Sequence, residues 1–131
     1  MYDLLIVGGG PAGFSAAVNG RRWNKRVVLV TKEEMSSRLR QAHRVDNYLG
    51  IPQISGMDLA ERFQRHALEE GVEIREDEII NLRWEENSFY GMGNSDQYEA
   101  KAVILATGVP QKASIPGEAK FIGQGVSYCA G

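Results

Sequence analysis

Cysteine is almost missing from these 131 residues: there is one, Cys129. A lone thiol excludes an internal disulfide framework, and the expected compartment is a reducing cytoplasm. Long apolar runs are missing too. Leu4–Val7 and Val27–Val30 are among the longest, far short of the roughly 20 residues that cross a bilayer. Met1-Tyr2-Asp3 enters an apolar stretch directly, with no basic segment or cleavage site of a secretory leader. No membrane partner is expected. Basic blocks are lacking as well: 15 Lys and Arg stand against 17 Asp and Glu, for a net charge of −2. Nucleic-acid binding therefore has no compositional support. With two histidines and one cysteine, widely spaced, no metal site is expected.

What the chain has is glycine, 15 residues gathered in a few places, which marks local backbone demands. The length suits one compact domain with a real core. Leu4–Val7 reads as a central parallel strand buried on both faces. A glycine turn and a small-residue helix, about Pro11 to Asn19, follow. Val27–Val30 is a second strand, completing a βαβ unit. Residues 32–54 look irregular. Gly56–Glu70 reads as a helix, with Ser55 and Asp58 in capping-box positions, Gly71 as its terminator, and Leu59, Phe63 and Ala67 on one face. A short strand, "VEIRE", precedes an antiparallel β-meander from Ile79 to Ala100, with turns at Glu86-Asn87 and Gly93–Asp96. Val103–Ala106 reads as a further buried strand ended by Thr107-Gly108, and the remainder as loop. The fold class is α/β: a Rossmann-like domain with a parallel sheet, helices and a small meander.

The turn "GGGPAG" places Gly8, Gly10 and Gly13 at G-x-G-x-x-G spacing. Gly8 permits the tight turn out of the strand. Gly10 lets a pyrophosphate approach the backbone, and Gly13 lets the helix pack close to the strand. Helix N-terminal N–H groups and the helix dipole then favour the phosphate charge. Alone the spacing is a weak signal, but here it sits between a strand and a helix, as the chemistry needs. Thr31, at the end of the second strand, can hydrogen-bond a ribose, and so could Glu33 if the loop folds back; Glu33 and Glu34 read equally well as a solvated loop.

Four stretches in order resemble the N-terminal, FAD-binding part of low-molecular-weight thioredoxin reductases: "IVGGGPAG", "VDNYLG", "VILATG" and "GEAKFIGQGVSYCAG". The resemblance covers essentially the whole chain. It implies FAD as cofactor, held by Gly8, Gly10, Pro11, Ala12, Gly13, Thr31, Ser37, Asn47, Ala106, Thr107 and Gly108. It also implies that Cys129 is the outer thiol of a redox-active Cys-x-x-Cys. By the same resemblance the second cysteine falls beyond Gly131. So do the pyridine-nucleotide domain and a C-terminal FAD segment, and residues 1–131 form a single, partial FAD-binding domain. The implied activity passes electrons from NAD(P)H or ferredoxin through FAD to the cysteines and on to thioredoxin or a similar disulfide protein, in a homodimer.

One segment departs from the family pattern. NADPH-linked members carry Gly-Gly-Gln where this chain reads Ser36-Ser37-Arg38. Ferredoxin-linked flavin thioredoxin reductases, with a divergent loop here, do not use NADPH, so the donor stays open between NADPH, NADH and ferredoxin. His43 reads as a solvated loop histidine and His66 as a part-exposed helix residue. Asp46 reads as a flavin neighbour or a turn former, and Trp23 and Trp84 as edge packing. The competing classes are a non-catalytic Rossmann-like nucleotide-binding module and an NAD(P)-only dehydrogenase domain. The meander argues against the second, whose fold would continue with further βα units.

Overall fold

The computed structural model describes residues 1–32, 37–108, 116–117, 120–121 and 123–125. In chain order it contains β1 (Tyr2–Val7), α1 (Pro11–Arg22), β2 (Val27–Thr31), α2 (Ser37–Arg40), α3 (Gly56–Glu69), β3 (Glu73–Glu76), β4 (Ile79–Glu85), β5 (Ser88–Gly93) and β6 (Gln97–Leu105). All six strands join one sheet in the order β3-β2-β1-β6-β5-β4. β1 pairs parallel with β2 and β6, and β2 parallel with β3. The β6-β5-β4 side is antiparallel, as the meander reading requires.

Alternation along the strands divides the core between the two sheet faces. Ile6, Val27 and Leu29 pack on one face with Phe14 and Ala17 of α1 and Ala67 of α3. Leu5, Val28 and Val30 face the other side, with Tyr98 and Ala100 of β6 and part-buried Ile79 and Leu82 of β4. The meander therefore covers the face that the helices leave bare, and every residue of β2 is buried. α1 approaches β2 closely because its residues are small: a Cβ on Gly20 would stand 2.9 Å from Val27 Cγ2. α3 begins as the capping pattern predicts, with Ser55 Oγ accepting from the Asp58 N–H at 3.0 Å. It ends in a Schellman arrangement, Gly71 N–H to Leu68 carbonyl and Val72 N–H to Ala67 carbonyl, both 2.9 Å. Glu86 and Asn87 both take positive φ (48° and 69°), the two-residue hairpin turn that matches strand twist.

Two expectations change. Val103–Ala106 is not a separate buried strand. No turn residue interrupts Gln97–Leu105, so one strand pairs with β5 at its start and with β1 further along. β5 stops pairing at Ala100, and beyond it Ile104 and Leu105 are 39% and 66% exposed. The stretch expected to be irregular holds, among its described residues 32 and 37–54, the short α2 and one bridge between Val45 and Ile54. Trp84 packs edge-on against Phe89, ring centroids 4.5 Å apart, whereas Trp23 stands exposed after α1.

Candidate functional site

The glycine turn sits at the C-terminal edge of the three central parallel strands. The Gly8 N–H donates to the Val30 carbonyl and the Ala106 N–H to the Val7 carbonyl, both at 2.8 Å, so β2 and β6 bracket the turn. Gly8 adopts φ +116°, a conformation side chains rarely take, and a Cβ there would run into the Ala106 carbonyl oxygen. A Cβ on Gly13 would collide with the Gly8 carbonyl oxygen, with Leu29 Cδ1 at 3.5 Å. Gly13 thus seats the helix on the turn itself as well as beside β2. Gly10 is the reverse case: a Cβ there would meet nothing within 4 Å.

The start of α1 is open to an anion. Gly10 is its N-cap, in extended conformation and with no side-chain cap, and the first turn holds no acidic residue. Helical bonding starts at Phe14, whose N–H donates to the Gly10 carbonyl at 3.0 Å. The N–H groups of Ala12 and Gly13 precede it and have no intrahelical acceptor; Pro11 has no N–H to satisfy. Pro11 and Ala12 are exposed.

Thr31 closes β2 beside this turn. It is 7% exposed, and a Cβ on Gly9 would lie 2.5 Å from its Oγ1. Gly9 was not singled out by spacing, because its constraint comes from a side chain on the neighbouring strand. Ala106 and Thr107 complete the wall: Thr107 N lies 3.2 Å from where a Gly8 Cβ would stand, and Gly108 follows in positive φ (+73°). The structure therefore gathers Gly8, Gly10, Pro11, Ala12, Gly13, Thr31, Ala106 and Thr107. Asn47 stands exposed in the connection between α2 and α3 and makes no hydrogen bond to the turn. Ser37 opens α2, its side chain outside the described set; Glu33, Glu34, Ser36 and Cys129 lie outside the described residues. Asp46 is engaged on the surface, accepting from Arg44 Nε at 2.6 Å. His43 is exposed, and His66 faces Glu70 one helical turn on, at 3.8 Å. A surface groove of about 460 Å³ flanks the start of α3, lined by Ile51, Asp58, Glu61, Arg62 and Arg65 among others, and shares no residue with the turn.

A parallel βαβ unit, with an uncapped helix start and a glycine left open above it, defines a Rossmann-type dinucleotide-binding domain. The chain belongs to the pyridine nucleotide-disulphide oxidoreductase family, whose sequence profile matches residues 2–131. It corresponds to the FAD-binding portion of that family, and the open cradle at Gly10 fits the pyrophosphate of FAD. A thioredoxin reductase of Peptoclostridium acidaminophilum is 38% identical across 99% of this chain. The match spans 42% of that relative's length. A ferredoxin-flavin thioredoxin reductase of Clostridium acetobutylicum superposes with TM-score 0.80 at 38% identity, over 98% of this chain and 45% of that one. A thioredoxin reductase of Gloeobacter violaceus gives TM-score 0.79 at 36% identity, over 98% and 41%. Among the described residues no helix is long and apolar enough to cross a membrane, and no cluster of ligands suits a metal ion.

Proposed function

We propose that residues 1–131 form one FAD-binding domain of a thioredoxin-disulfide reductase. One observation carries this reading. Of the four glycines Gly8, Gly9, Gly10 and Gly13, three are closed off by the chain's own atoms, and Gly10 alone has room for a ligand. Gly10, Ala12 and Gly13 receive the pyrophosphate, and Pro11 presets the helix start. Thr31 takes the ribose side, Ala106, Thr107 and Gly108 the second wall, and Ser37 and Asn47 the flavin side. FAD, when bound, carries electron pairs between a donor and a disulfide. NADPH, NADH or ferredoxin serves as donor and thioredoxin or a similar protein as acceptor, in a homodimer. The Cys129 thiolate attacks one sulfur of the partner disulfide and forms a mixed disulfide. The partner's other sulfur leaves as thiolate, and a second cysteine thiolate then displaces the reduced partner. The likeness to thioredoxin reductases and to a ferredoxin-flavin relative supports this assignment.

Titration with FAD, read by flavin fluorescence, tests it. Gly10→Val is expected to weaken binding at least about tenfold, a loss of roughly 1.4 kcal/mol. Its thermal midpoint should stay near wild type, since no atom lies near the new Cβ. Gly8→Ala should lower the midpoint instead. Wild-type FAD affinity in Gly10→Val would remove the cradle assignment.

A further inference from the structure

Asp77 lies in the corner between β3 and β4. It is 7% exposed, and among the described residues the buried polar side chains are Asp77, Thr31 and Ser88. Its carboxylate gathers donors from several places. Oδ1 accepts from the N–H groups of Glu78 (2.8 Å), Asn94 (2.9 Å) and Ser95 (3.2 Å). Oδ2 accepts from the N–H groups of Ser95 (3.4 Å) and Asp96 (3.2 Å) and from the Tyr98 hydroxyl (3.0 Å). Residues 94–96 form the turn that joins β5 to β6. Gly93 leaves the space for the carboxylate, because a Cβ there would overlap Oδ2.

The same residue reaches the other way. Its N–H donates to the Thr31 carbonyl at 2.9 Å, and the Thr31 side chain abuts Gly9. A continuous line of contacts thus runs from the 94–96 turn through Asp77 to Thr31 and the glycine turn. Burial pushes the Asp77 carboxyl up, but the backbone donors and the Tyr98 hydroxyl outweigh it, so it stays ionised below the ordinary aspartate range. An ionised carboxylate only accepts, and every group aimed at it donates.

We propose that Asp77 is a positioning residue for the dinucleotide site: its carboxylate pins the β5–β6 turn and so holds the end of β2, with Thr31, against the glycine turn. The part that concerns FAD rests on the function proposed above. Asp77→Asn keeps the size of the side chain but turns one acceptor into a donor, facing backbone N–H groups that cannot reverse.

Native-state hydrogen exchange and FAD titration, run in parallel, test the proposal. Leu82→Ala is the control: Leu82 packs in the same core cluster but makes none of these contacts. Asp77→Asn is expected to speed exchange of the residue-77 amide about tenfold with the α3 amides unchanged, and to weaken FAD about fivefold. Leu82→Ala should lower the unfolding midpoint while leaving both quantities within about twofold. Equal effects of the two variants would make Asp77 merely structural and overturn the proposal, as would no effect of Asp77→Asn. Ser95→Pro deletes one donor on the exposed turn and should give a smaller change in the same direction. No change at residue 77 in that variant overturns the proposal even where Asp77→Asn fails to fold. Gly10→Val in the same titration separates the two claims: if it binds FAD like wild type, the FAD reading fails while the exchange data still decide the role of Asp77.

Discussion

The Tyr98 hydroxyl, buried at 4% exposure and bonded to Asp77, stays neutral deep into the alkaline range. Burial first, and then the hydrogen bond and charge of Asp77, push it up to about 12 from 10.0. As pH rises between these values, the unfolded chain releases a proton that the folded chain keeps. The stability Tyr98 contributes is therefore complete below about pH 10 and is lost as pH climbs through about 12. Tyr2 and Tyr90 shift the same way. Denaturant unfolding at about pH 8 and about pH 11 should show a clear loss for wild type and a smaller loss for Tyr98→Phe. An equal loss in both would exclude Tyr98 as the main alkaline group. The acid limb has the opposite sign. The Lys101 ammonium and the Arg26 N–H hold Asp3 below its ordinary range. Burial raises Glu73, but Arg75 and Tyr2 outweigh it. These carboxylates contribute stability above the ordinary range that is lost as pH falls through their lowered values. At this scale the sequence was legible where the constraint is local. Gly8 and Gly13 could be assigned from spacing because Gly8 takes the positive φ of the turn itself and Gly13 would clash with the Gly8 carbonyl within the same turn. Gly9 and Asp77 could not, because their partners arrive from other strands.

Among the elements, those with a built-in start or stop were the easiest to read. Ser55, Asp58 and Gly71 mark both ends of α3 in the sequence, and the chain obeys them. Ser55→Ala removes an acceptor that the Asp58 N–H has no neighbour to replace, and should cost about 1 kcal/mol. Thermal unfolding checks this, and a shift within experimental scatter would mean that water serves the N-terminus of α3 equally well. The Glu86-Asn87 turn was equally plain, since both residues tolerate the left-handed backbone the hairpin needs. The join between meander and parallel sheet was not. Apolar patterning shows which residues are strand-like but not which neighbour they pair with, and β6 changes partner without a change in composition. Its far end was also expected to be buried, because "VIL" is apolar. Burial depends on what lies alongside, and β5 stops pairing at Ala100.

Across the whole molecule, β6 belongs to both halves of the sheet. Ala100 pairs with Tyr2 on one side and with Phe89 on the other, and the strand then runs on to place Ala106 against Gly8. Added length is therefore not equivalent at different points of the chain. One extra residue after Asn87 lengthens an exposed hairpin tip and leaves every pairing intact. One extra residue after Lys101 either turns Tyr98 away from Asp77 or carries Ala106 past Gly8, because side chains alternate faces with every step. A single glycine inserted at the first point should leave FAD retention and the unfolding midpoint near wild type, and at the second should abolish both. Equal tolerance at the two points would show that β6 slides freely between its partners. On this plan the rim of the meander is free to change in size, whereas the count of residues between Tyr98 and Ala106 is set by two contacts at once, Tyr98 with Asp77 and Ala106 against Gly8.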